Sequence, residues 1–112
     1  MAVAFYPGCA PYAKLGAAYQ LEMPLLILSG KKDDWTPAEA CVKWKQAMAT
    51  KNLVVHVYPE AYHDFDSPNT PLKHRTDVPN GVYPGQGVTT GGNPEARAAA
   101  YQTLTTFLGK NL

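Results

Sequence analysis

The chain has 112 residues, 46% of them hydrophobic, with 10 Lys or Arg against 9 Asp or Glu and a formal charge of +1. That length holds one domain at most, and scattered cations at near-zero net charge exclude a basic patch for nucleic acid or an acidic membrane. No apolar run approaches the roughly 20 residues of a membrane span, and no basic-then-apolar leader opens the chain, so a cytoplasmic setting is the expectation.

Ala2 to Tyr6, AVAFY, is a short apolar run stopped by Pro7-Gly8 and reads as a strand. Cys9 to Glu22 mixes Gly, Pro and small residues and reads as a loop, with room for one helical turn around Ala13 to Tyr19. Leu25 to Leu28 is an apolar run closed by Ser29-Gly30, the pattern of a strand buried on both faces of a parallel sheet. From Pro37 to Lys51 the spacing is helical, with Ala40, Cys41, Trp44, Ala47 and Met48 on one face. Pro37 suits the first helical position, and Asp34 or Thr36 is placed to cap it. Leu53 to Tyr58, LVVHVY, is a β-branched third strand. Strand, helix, strand with short links is a βαβ unit, which implies parallel strands and a right-handed crossover.

After Pro59 comes EAYHDFD, then about thirty residues rich in Pro, Gly, Asn and Thr, an irregular loop of a length usual only in lids and binding loops. Asn93 and Pro94 open a last helix with Ala96, Ala100, Leu104, Phe107 and Leu108 on one face, ended by Gly109 and Lys110. The fold class is therefore α/β, a short parallel sheet of about three strands with flanking helices. Such a sheet leaves an edge of unpaired backbone groups, open to pairing with a second copy as a homodimer or with another partner.

Open α/β sheets place their chemistry at the carboxyl ends of the strands. Asp33 and Asp34 follow the second strand and His63 follows the third, so an acid and an imidazole can meet on one rim. On pattern alone the plainer alternative is favoured, acids that cap a helix and a solvated loop histidine, because acids at helix starts are commonplace. Cys9 follows a strand but has no Gly two residues to either side, which speaks against a nucleophile elbow. Cys41 belongs to the helix face, and nothing in the spacing argues for a disulfide between the two. His56, Glu60, His63, Asp64, Asp66 and His74 show no metal-ligand spacing, so no metal is expected.

PLLILSGKKDDWTP, followed about thirty residues later by VYPEAYHDFD, resembles the C-terminal half of the dienelactone hydrolase family of α/β-hydrolases. The family's G-x-x-D-x-x-x-P is Gly30-Lys31-Lys32-Asp33-Asp34-Trp35-Thr36-Pro37, and its H-x-F is His63-Asp64-Phe65, with Tyr62 where Gly is common. The resemblance runs from the strand at Ala2 to Leu112 and implies a partial α/β-hydrolase fold. It makes Asp33 the triad acid, His63 the base, and Trp35, Tyr62 and Phe65 an apolar substrate wall. The implied substrate is a small carboxylic ester or lactone, with no cofactor.

The family's G-x-C-x-G or G-x-S-x-G elbow is not in this sequence. Residues 1–112 are accordingly read as one C-terminal portion of such a domain, with the nucleophile-bearing half absent. The alternative reading is an inactive fragment that self-associates.

Overall fold

A computed structural model describes residues 1–112. Its centre is a three-stranded parallel sheet in the order β1 (Ala2–Phe5), β2 (Leu25–Gly30), β3 (Leu53–Tyr58). The central strand earns its place by composition, since Leu26, Ile27 and Leu28 are fully buried and only an element covered on both sides can hold consecutive apolar residues. Alternation along the strand then divides the core in two. Leu26 and Leu28 join Phe65, Ala96, Ala100 and Phe107 on one face, while Ile27 joins Cys9, Cys41, Trp44 and Leu53 on the other.

Helix α3 (Pro94–Asn111) covers the first face. Asn93 caps it, its side chain accepting from the Ala96 amide at 3.1 Å, and Pro94 lies in the first turn. The helix does not end at Gly109 and Lys110 but runs on to Asn111, with the Leu112 amide still donating to the Leu108 carbonyl at 3.0 Å. Helix α2 (Ala38–Met48) covers the second face through Ala38, Cys41 and Trp44. It starts one residue later than expected, with Pro37 as an extended N-cap. Neither Asp34 nor Thr36 caps it, because both side chains are engaged elsewhere.

Two expectations about irregular segments fail. Within Cys9 to Glu22 there is a helix, α1 (Ala10–Leu15), continued by a 3-10 turn over Gly16–Ala18. It buries no residue of its own, so it carries no apolar stripe for periodicity to find. Instead it is held from outside, by Tyr12 stacked on Trp44 at 5.0 Å and by a disulfide between Cys9 and Cys41 that the spacing did not suggest. The bond closes a separation of 32 residues and joins the N-cap of α1 to the first turn of α2.

The tract after Asp66 is likewise not structureless. It forms an antiparallel ribbon of β4 (Lys73–Arg75) and β5 (Val88–Thr90), paired Lys73 to Thr90 and Arg75 to Val88. Side chains at Gly81 and Gly92 have no room. A Cβ on Gly81 would strike Val88, and one on Gly92 would strike the Ser67 carbonyl, so these glycines allow the chain to fold back on itself. No helix is long and apolar enough to cross a membrane.

Candidate active site

Both chemical loops leave the same end of the sheet. β2 and β3 are parallel neighbours with Gly30 opposite Tyr58, so the segment after Gly30 and the segment after Tyr58 emerge side by side. They are then laced together. The Lys31 amide donates to the Tyr58 carbonyl at 2.9 Å and the Lys32 amide to the Ala61 carbonyl at 3.0 Å. This closeness is why residue 30 is glycine, since a Cβ there would collide with the Ala61 carbonyl.

Within that frame Asp33 Oδ2 lies 2.8 Å from His63 Nδ1. The Asp33 side chain is wholly buried and that of His63 is 12% exposed. Asp33 Oδ1 accepts the amides of Trp35 and Thr36, each at 2.8 Å, which fixes the carboxyl group before the histidine meets it. A carboxylate only accepts, so the proton between Oδ2 and the ring sits on Nδ1, and a neutral His63 leaves Nε2 as its free base.

Thr36 completes the network. Its Oγ1 is 2.8 Å from the Tyr6 carbonyl, 3.1 Å from Asp33 Oδ2 and 3.0 Å from His63 Nδ1. Having one proton, the hydroxyl donates to either the Tyr6 carbonyl or Asp33 Oδ2, the Tyr6 contact being the shorter, and its lone pairs face the Nδ1 proton. The imidazole also packs on two rings, Tyr6 at 4.4 Å and Trp35 at 4.6 Å between centroids.

The adjacent acid has a different task. Both oxygens of Asp34 accept the Thr89 amide, at 2.9 and 3.2 Å, and its carbonyl accepts from Val82 at 2.7 Å. Asp34 thus anchors the β4–β5 ribbon. His63 holds the same strand two residues further on, its carbonyl accepting from Gly91 at 3.0 Å.

Of the three residues expected as an apolar wall, Trp35 lies on the rim against His63, with the Arg75 guanidinium 5.5 Å from its ring on the ribbon side. Tyr62 is half-buried beside His63 in the chain, with the Lys32 ammonium 5.9 Å from its ring. Phe65 is not on the rim. It is fully buried in the core under α3, 6.0 Å from Phe5 and 5.5 Å from Tyr58, because its backbone has turned beneath the sheet after the left-handed Asp64 at φ 66°. Cys9, bonded to Cys41, has no free thiol.

His56 is exposed on β3 and His74 Nε2 lies 2.9 Å from the Gln86 carbonyl, both apart from His63. A cleft of about 640 Å³ runs between β3 and α3 past Leu26, His56, Thr103 and Lys110 and does not reach His63. Reading the sequence missed Thr36, Tyr6 and Asp66. Only Thr36 carried a signal, as the hydroxyl residue immediately before Pro37 in the aspartate motif.

A buried acid hydrogen-bonded to a rim histidine from the next parallel strand is the arrangement in which an imidazole is oriented to move protons. The sequence matches the Dienelactone hydrolase family over residues 1–112, its whole length. The chain belongs to that family. It is a hydrolase-like domain of α/β-hydrolase kind, and the three-stranded parallel sheet with helices on both faces is consistent with a part of that fold. No curated protein and no solved structure matches it.

Proposed function

We propose that this chain supplies the acid and the base of a dienelactone-hydrolase-like enzyme that opens carboxylic ester or lactone bonds. The observation that carries the reading is the 2.8 Å contact between the buried Asp33 carboxyl and His63 Nδ1, with Nε2 left as the proton acceptor. In this reading Nε2 takes the proton of a Cys or Ser nucleophile as it attacks the carbonyl carbon, then returns it to the departing alkoxide. A water deprotonated in the same way releases the acid product. Asp33 holds the tautomer throughout, and Trp35 and Tyr62 offer apolar surface to the substrate.

The attacking group belongs to an N-terminal portion of the domain, because residues 1–112 contain no elbow and both cysteines are in the disulfide. No cofactor enters the reaction. The test is to fuse or co-express the chain with an N-terminal half bearing an elbow nucleophile and to assay a nitrophenyl ester. His63→Ala should lower the rate about 10²- to 10⁴-fold, the usual worth of a general base. Equal rates with and without His63 would refute the role.

A second reading rests on the outer edge of β1, which pairs with β2 alone and leaves a row of backbone groups open to a second copy. It expects a homodimer with no esterase activity in the isolated chain. A strictly monomeric species in light scattering at high concentration would count against it.

A further inference from the structure

Tyr6 ends the first strand with φ 41°, a left-handed backbone that bulky residues seldom adopt and that glycine would adopt without strain. Strain of this kind persists where the surroundings hold the residue in place. Here four separate contacts do so. The Tyr6 amide donates to the Leu28 carbonyl at 2.8 Å, and the Tyr6 carbonyl receives the Thr36 hydroxyl at 2.8 Å. Its ring lies 4.4 Å from the His63 imidazole, and its hydroxyl donates to Asp66 Oδ1 at 2.9 Å. Asp66 is three residues after His63 in the same loop, and its own carbonyl is held by Arg97 Nε at 3.0 Å.

One side chain therefore grips the histidine loop at two points, by ring contact at His63 and by hydrogen bond at Asp66. Packing alone does not require the hydroxyl, since the neighbouring Phe5 and Phe65 would be served equally by a phenylalanine. Burial, with the Asp66 carboxylate second, pushes the Tyr6 phenol well above its ordinary range, so the hydroxyl remains a donor at any physiological pH.

We infer that Tyr6 is a positioning residue for His63, acting as a brace from the end of β1 across to Asp66 that keeps the imidazole seated on Asp33. The inference rests on the proposed role of His63 as base. The brace itself, however, is a property of the folded chain and is measurable without turnover. By supporting the ring it limits the excursions that would break the Nδ1 hydrogen bond.

The test is nitrogen and proton NMR on the 112-residue chain, whose 3 histidines separate into His63 and two internal controls, His56 and His74. Solvent exchange of the His63 Nδ1 proton is compared in the parent, Tyr6→Phe, Tyr6→Leu and Asp66→Asn. Tyr6→Phe should speed exchange about tenfold, the worth of one hydrogen bond to a charged group, and Tyr6→Leu should speed it further. Asp66→Asn, which keeps an acceptor for the phenol but removes its charge, should fall between the parent and Tyr6→Phe. The Leu28 amide and the other two imidazoles should not change, which a general loss of stability would not reproduce.

Parent-like exchange at His63 in Tyr6→Phe would overturn the inference, and that variant decides the matter if Tyr6→Leu does not fold. Failure of the hydrolase reading would show elsewhere, as undiminished ester hydrolysis by the fused His63→Ala enzyme while exchange at His63 in the Tyr6 variants still follows the expected order.

Discussion

The sheet body and the 66–92 excursion reach order by different physics. In the body, three strands and helices α2 and α3 bury Leu26, Ile27, Leu28, Trp44, Leu53, Phe65 and Phe107, and each such side chain contributes about 1.5–3 kcal/mol of transfer free energy. In the excursion only Val78 and Val88 are buried apolar residues. Its shape comes from the ribbon ladder, from glycines at close crossings, and from two anchors on the rim, the Asp34 carboxylate and the His63 carbonyl. The body is an apolar solid, whereas the excursion is a strap tied to the site by hydrogen bonds. Damage to the first should therefore unfold the chain, and damage to the second should loosen it locally.

The sharpest break is Phe65→Ala. If Phe65 belongs to the body, the cost is about 3–5 kcal/mol in denaturant melts, the range for emptying a buried aromatic site. A loss of substrate affinity at unchanged stability would instead return Phe65 to the rim.

Cys9→Ser with Cys41→Ser comes next. Opening a loop of 32 residues should cost about 3.7 kcal/mol by chain entropy, read as a fall in melting temperature that reductant reproduces in the parent. Asp34→Ala should cost about 1.5–3 kcal/mol, the value of a hydrogen bond to a charged group. Its effect should be local, with faster amide exchange and protease cleavage between Val78 and Thr90 and little change in the Leu26 to Leu28 amides.

The smallest effect is a pH dependence. The Tyr6 phenol is raised above its ordinary 10.0 in the folded chain, chiefly by burial and then by Asp66, so the folded state holds its proton more tightly than the unfolded one. That contribution is complete below about pH 10 and is lost as pH rises beyond it. Melts between pH 9 and 11 should therefore fall less steeply for Tyr6→Phe than for the parent.

What could be read from the sequence follows the same division. Strands β1, β2 and β3 and helices α2 and α3 announce themselves because their apolar residues recur with the period of the structure they form. Asp33 and His63 could be paired on paper because parallel neighbours put their loops on one rim, and the motif around them resembles a known family.

Helix α1 was hidden by having no buried face, the disulfide by being a relation between distant residues, and the ribbon by being held through backbone groups that every residue shares. Phe65 misled for a related reason. Two residues from a rim histidine it should share the rim, and only the left-handed turn at Asp64, a feature with no sequence signal of its own, sends it into the core. Tyr6 and Asp66, 60 residues apart, were out of reach of any local pattern.

The most direct measurement is the nitrogen spectrum of His63 in the neutral form. A proton on Nδ1 held by Asp33, a bare Nε2, and a change in that balance on Asp33→Asn are the expected result. A proton found on Nε2, or a spectrum indifferent to Asp33→Asn, would contradict the pairing on which the site is built.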